Sequence, residues 1–157
     1  MKVAVDTGVL IASLKRKGEK FHEDSVRLAE AVRGEGAVAS ALVLVEFPGA
    51  LAASTTMPIE KIYVAEATVQ KEFNLQIMPF HPYVERAVSL MFELRDLKRR
   101  FKVEAADFHH LATAIEEECS VFVTVDERHL LRNEVKEAVK HYIEVCSPKE
   151  ALRKMQM

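Results

Sequence analysis

The chain has 157 residues, 49% of them hydrophobic and 29% charged, which fits one domain with its own core and argues against disorder. The formal net charge of −2 excludes a globally basic nucleic-acid coat. It leaves room for a nucleic-acid enzyme, in which a local basic rim surrounds an acidic centre.

Residues 3–5, Val-Ala-Val, read as a short buried strand ending at Asp6. Thr7 is a candidate cap for a helix over 8–15, with Gly18 as its stop. Residues 22–33 carry Val26, Leu28, Ala29 and Val32 at helical spacing, and Gly34 and Gly36 end that run. A second strand spans 37–39. Ser40 then looks like the N-cap of an apolar helix from 41 to about 53, in which Pro48 predicts a kink or a division into two pieces. Pro58 opens a helix running to about 72, and 75–78 reads as a third strand. Residues 81–99 form one long helical pattern with Val84, Ala87, Val88, Met91 and Leu94 on a face. A helix over 104–118, a strand over 121–125, a short helix over 127–132, a strand over 142–145 and a terminal helix opened by Pro148 complete the chain. No linker, repeat or low-complexity segment interrupts it, so residues 1–157 read as a single domain. Short, continuously apolar strands alternating with helices predict a parallel sheet covered on both faces.

The carboxylates carry the chemistry. Asp6 and Asp126 each end a β-branched apolar run, and Asp107 starts a helix pattern between them. Strand C-termini of a parallel sheet open onto one edge, so the three converge there. Clustered anions repel unless a cation sits between them, which points to an oxygen-liganded metal site and to phosphate chemistry. Each has a plainer reading. Asp6 and Asp126 are also good N-caps, and a helix dipole favours Asp107 by about 0.3–1 kcal/mol. Glu46 is the oddest acid, alone in the apolar run Ala41-Leu42-Val43-Leu44-Val45-Glu46-Phe47. It reads as a further catalytic carboxylate or as half of a buried ion pair with an arginine. Thr124 and Thr7 are the hydroxyls placed to orient these acids, and Glu104 reads as an accessory ligand or a simple helix-start acid. Such a set suits Mg²⁺ or Mn²⁺.

Val5-Asp6-Thr7, Ser40 through Glu46, Asp107-x-x-His110-Leu111-Ala112-x-Ala114 and Thr124-Val125-Asp126 together resemble the PIN-domain nucleases, which include the VapC-type toxins of toxin–antitoxin pairs. The resemblance spans residue 3 to about 152. It implies an α/β/α sandwich and a Mg²⁺- or Mn²⁺-dependent endoribonuclease, with acidic positions at Asp6, Glu46, Asp107 and Asp126 and Thr124 near the metal. It also implies a homodimer and, for a toxin, a small antitoxin that occludes the site. Asp6, Asp107 and Asp126 are expected to hold the ion, while Glu46 joins them or orients the attacking water. Two departures stand out: Gly8, where the family usually has Ser or Asn, and Pro48 just after Glu46.

His110 reads as a packed histidine one turn past Asp107, and His109 and His129 carry no signal. Basic residues gather at Lys15-Arg16-Lys17, at 98–102, and at Arg128, Arg132, Lys136 and Lys140. Each is solvated surface on the plain reading; Lys15, Arg16, Arg128 and Arg132 are the candidates for an RNA rim. Cys119 and Cys146 lack a metal-binding spacing and read as buried thiols in a reducing cytoplasm. No signal peptide or membrane span is expected.

Asp6-Thr7-Gly8 is also the aspartic-protease triplet, but that fold is all-β. A receiver domain needs an acidic pair after its first strand, and a haloacid-dehalogenase-type phosphatase needs an acid where Gly8 stands. The remaining alternative is a PIN-like binding module with weak catalysis, which Gly8 favours.

Overall fold

The computed structural model describes residues 1–157. Five parallel strands, β1 (Val3–Val5), β2 (Ala37–Ser40), β3 (Gln76–Met78), β4 (Val121–Val123) and β5 (Glu144–Cys146), form one sheet in the order β3-β2-β1-β4-β5. Helices cover both faces, giving a three-layer α/β/α sandwich. Alternation along the strands sorts the core. Val3, Val5, Ala39 and Val123 face one layer, made of α1 (Thr7–Leu14), α2 (His22–Val32), α3 (Val43–Ser54), α4 (Ile59–Glu72) and α9 (Pro148–Met155). Ala4, Val38, Phe122 and Val145 face the other, made of α5 (Val84–Glu93), α6 (Arg95–Phe101), α7 (Ala105–Glu116) and α8 (Asn133–Val139). No helix is long and apolar enough to cross a membrane.

The chain runs outward from β1 through β2 to β3, then returns to β4 on the other side of β1. The order therefore reverses between β1 and β4, and the crevice beyond their C-terminal ends is where such sheets bind ligands. Val5 pairs with Val123, which sets Asp6 beside Thr124.

Several predicted boundaries move, each for a local reason. Asp6, not Thr7, caps α1: its carboxylate accepts from Val9 N, and the helix starts at Thr7. Ser40 ends β2 instead of capping a helix; its hydroxyl accepts from Leu42 N and closes the turn into α3. α3 is one helix despite Pro48. Leu44, whose carbonyl loses its partner to that ring, is 43% exposed, so water can serve it. The expected helix over 81–99 is three pieces: a 3₁₀ turn (His81–Tyr83), α5 and α6. The break falls at Leu94, with φ −116° and ψ 40°, and it lets Leu97 turn into the core. β4 stops at Val123, because Thr124 and the residues after it turn toward the site. Residues 127–132 form turns, not a helix, and the helix in that region is α8. Gly36 takes φ +84° before β2, where a Cβ would lie 2.5 Å from the Asn74 carbonyl. Cys119 and Cys146 are free and buried, and burial pushes their thiols up to about 11 and about 12.

Candidate active site

Asp6 leaves β1 in extended conformation with its backbone N–H donating to Val123 O at 3.2 Å. One carboxylate oxygen accepts from Val9 N at 3.2 Å, and the other from the Thr124 hydroxyl at 2.5 Å. The cap and the strand-end acid are thus the same group seen from two sides. Thr124 is fully buried, and its Oγ1 also accepts from Asp126 N at 3.1 Å. A hydroxyl has one proton and two lone pairs. It gives the proton to Asp6 and a lone pair to the Asp126 backbone, so it fixes both acids at once. Asp126 accepts from His129 N at 3.2 Å and lies 3.1 Å from His129 Nδ1.

Asp107 is the third residue of α7 and its Oδ2 accepts from Glu104 N at 2.8 Å. Glu104 is the exposed N-cap of that helix, which is the plainer of its two readings. Glu46 projects from α3 with its Oε1 accepting from Thr7 Oγ1 at 3.0 Å and from His110 Nε2 at 2.5 Å. The partner of Glu46 is thus a buried histidine of α7, not the arginine that the ion-pair reading expected.

The acids feel one another. Burial pushes Asp6 up to about 6, and the Asp107 charge adds to this against the pull of Thr124 and His110. Burial likewise raises Asp107, with the charges of Asp126 and Glu46 contributing. Burial alone would raise Glu46, but the hydrogen bond and charge of His110, with Thr7, hold it below its ordinary value. His110 shows the converse: burial would lower it, and Glu46, Asp6 and Asp107 outweigh that and raise it.

In these side-chain positions no three of His, Cys, Asp and Glu form a set that could hold a metal ion together. Each carboxylate accepts from its own donors. The donor chemistry, carboxylate oxygens alone at a strand edge, fits a hard divalent cation such as Mg²⁺ or Mn²⁺.

Three histidines acquire roles that sequence reading gave only weakly or not at all. His110 donates to Glu46 and is raised by it. His129 steadies Asp126, and an acid followed by histidine three residues on was the available signal. His109 takes the Ser40 hydroxyl at Nδ1 (2.9 Å), meets Phe80 O at Nε2 (2.8 Å) and stacks on the Phe80 ring, so it ties the turn into α3 to α7. Of the basic candidates, Lys15, Arg16, Arg128 and Arg132 are all exposed. Lys15 is the C-cap at the far end of α1, about 13.5 Å along its axis from Asp6 at 1.5 Å per residue, and Arg16 follows it. The loop beyond them swings back, because Lys20 pairs with Glu127 at 2.8 Å. Arg132 rests on the Phe101 ring.

Gly8 has a packing cause. A Cβ there would sit 2.8 Å from Val125 Cγ2 and 3.4 Å from Asp6 Oδ1. Val125 is β-branched and immediately precedes Asp126, so it cannot yield without moving the site.

The fold is thus a parallel α/β/α sandwich with its strand-end acids at the edge where the strand order reverses. The PIN-domain family model matches residues 3–135, and this chain belongs to the PIN-domain family, whose members are in general nucleases. Among solved structures, a chain of the VapBC2 complex of Rickettsia felis bound to a fragment of its promoter DNA is similar, with TM-score 0.66 and 14% identity over 94% of this chain and 98% of that one. A chain of FitAB bound to the IR36 DNA fragment matches with TM-score 0.64 and 20% identity over 93% and 94%. A chain of FitAcB from Neisseria gonorrhoeae matches with TM-score 0.62 and 20% identity over 94% and 98%. At such identities the likeness is one of fold. No curated protein matches the chain.

Two measurements check this geometry. Gly8→Ser should lose about 1–3 kcal/mol in urea unfolding by overpacking, and Gly8→Ser combined with Val125→Ala should recover most of it; an unchanged stability for the single variant would refute the contact. The second concerns Asp6. A carboxyl whose folded pKa is raised binds more protons native than unfolded, so native stability declines as pH rises from 3.8 to about 6. Asp6→Asn, which does not titrate, should match the native protein near pH 4 and exceed it above pH 6 in chelator. The gain is at most about 3 kcal/mol, at 1.36 kcal/mol per pKa unit, and smaller because Asp6 keeps some solvent contact. A gap that is constant with pH would remove burial of the Asp6 charge as its cause.

Proposed function

We propose that this chain is a Mg²⁺- or Mn²⁺-dependent endoribonuclease and the toxin of a toxin–antitoxin pair, built as one domain over residues 1–157 and working in the cytoplasm. The observation that carries the reading is the hydrogen-bonded setting of the acids at the edge where the strand order reverses: Thr124 bridges Asp6 and Asp126, and Glu46 meets Thr7 and His110, one turn past Asp107. In this reading Asp6, Asp107 and Asp126 hold the ion. When bound, a divalent cation supplies a Lewis acid that offsets developing phosphate charge and makes a water more acidic.

The chain's own residues do the rest. Glu46, kept ionised by His110 and Thr7, orients the attacking water and accepts its proton. Water adds to phosphorus in line with the departing sugar oxygen, that P–O bond breaks, and the sugar oxygen leaves as a hydroxyl after taking a proton from solvent water. Thr124 holds the Asp6 carboxylate and the Asp126 backbone in one frame while this happens. Lys15, Arg16, Arg128 and Arg132 bind the RNA backbone outside the acidic centre, so binding weakens as salt rises.

The relatives support a protein partner. VapBC2 and FitAB are two-component complexes by name, and a small antitoxin that covers the acidic edge is the corresponding partner here. We assign the homodimer face to the groove between α5 and α7. Leu42, Val84 and Met91 line it, and Phe80, Val88 and Phe92 stand 50%, 41% and 63% exposed beside it.

The deciding experiment is cleavage of a mixed RNA pool with Mn²⁺, with Mg²⁺ and with chelator, beside Asp6→Asn. We expect products only with metal, declining as monovalent salt is raised. Losing a residue that merely supports a ligand costs 10–100-fold, so Asp6→Asn should cost more than about 100-fold. Cleavage in chelator, or full turnover by Asp6→Asn, would overturn the mechanism, and no cleavage with either ion would favour the binding-module reading. For the dimer, Phe92→Asp should halve the mass measured by light scattering; an unchanged mass would place the interface elsewhere.

A further inference from the structure

A carboxylate unconnected with the acidic edge lies on the outer side of the α3–α4 pair. Glu66 belongs to α4, is only 8% exposed, and lines a shallow depression. Leu44 of α3 and Tyr63, Ala67 and Gln70 of α4 line that depression. Burial pushes the Glu66 carboxyl up, and no cation or hydrogen-bond donor opposes it. Every other acid described above has a partner.

The surroundings are as unusual as the acid. Leu44, Val45, Ile59, Tyr63 and Val64 are 43%, 69%, 58%, 59% and 67% exposed, a concentration of large apolar side chains on two adjacent helices. Ile59, Tyr63, Glu66, Ala67 and Gln70 fall on one stripe of α4 by the spacing of three and four residues. An unpaired buried carboxylate costs free energy, and an exposed apolar patch of this kind marks an interaction site. A partner's cation inside a ring of apolar contacts that excludes water would satisfy both, which is the layout of an interface hot spot.

The chemistry also selects the occupant. A two-fold contact of this face with a second copy would bring Glu66 towards its own equivalent, with no cation in either patch to separate them. We propose that the α3–α4 face is a docking surface for a partner protein segment that seats an arginine or lysine on Glu66 and flanks it with apolar side chains against Leu44 and Tyr63. Arginine suits the site best, because its planar fork binds a carboxylate through two hydrogen bonds. None of the edge acids lines the depression, and the proposal does not depend on the nuclease reading.

The test uses the full chain, isotope-labelled for NMR, and two probes: a short amphipathic helical peptide with one arginine between leucines, and the same peptide with glutamate in its place. The arginine peptide should give saturable shifts centred on Leu44, Tyr63 and Glu66, and the glutamate peptide none. Glu66→Gln should weaken the arginine peptide about tenfold or more while melting no lower than the native protein, since it removes an uncompensated charge. Glu66→Arg should reverse the preference between the two peptides. Absence of arginine-peptide binding, shifts centred on Asp6 or Asp107, or affinity unchanged by Glu66→Gln would each overturn the proposal. So would self-association in sedimentation equilibrium that Glu66→Gln strengthens, which would make the occupant a second copy.

Discussion

The acidic edge is organised by one buried hydroxyl. Thr124 stands beside Asp6 because β1 and β4 pair in parallel with Val5 opposite Val123. Its hydroxyl bridges the Asp6 carboxylate and the Asp126 amide, so two residues 120 apart in the chain share one rigid anchor. The other oxygen of Asp6 caps α1, and Asp126 turns the chain toward His129. A threonine that could not donate would leave Asp6 half-satisfied in a buried setting, where an unmade hydrogen bond costs about 1–3 kcal/mol. The first turn of α1 and the exit of β4 therefore stand or fall together.

Around that anchor the protein offsets carboxylate repulsion with fixed donors. Asp6 and Asp107 both occupy helix N-termini, where the dipole contributes about 0.3–1 kcal/mol each. That is not enough for Asp6, since burial still carries its pKa up to about 6. Glu46 is treated differently. His110 and Thr7 converge on one of its oxygens and keep it ionised in a half-buried position. The two acids thus sit in opposite surroundings: burial raises Asp6, while His110 and Thr7 hold Glu46 below its ordinary value.

The strands and their acids were legible because both signals are local. A run such as Val121-Phe122-Val123 is apolar on every side because its two faces are both covered, and an aspartate at its end has few other reasons to be there. Glu46 was legible as a lone charge in an apolar stretch, but its partner was not, because His110 is 64 residues away and one histidine of an adjacent pair. The break at Leu94 has neither glycine nor proline to mark it. α8 shows only Val135 and Val139 as buried positions among charges, too thin a stripe to stand out. The turns over 127–132 imitate a helix because Leu130 and Leu131 follow a good cap, and Asp126 does accept from His129 N as a cap would, yet the chain stays in turns until α8. His109 joins Ser40 to Phe80, and neither contact has a spacing that sequence could reveal.

Gly8 shows how a departure from a family pattern can mislead when it is read as lost chemistry alone. The serine or asparagine usual at that place needs room for a Cβ, and here Val125 occupies it. Val125 in turn packs against the core beneath α1, so the two positions are one packing decision shared by adjacent elements. A smaller residue at 125 and a polar side chain at 8 would be an equivalent solution in volume. What this chain gives up at position 8 is one polar side chain beside Asp6; Thr124 on one side and Val9 N on the other already serve both of that carboxylate's oxygens. The glycine is therefore compatible with an ordered acidic edge, and its presence is better read as the counterpart of Val125 than as the mark of a dismantled site.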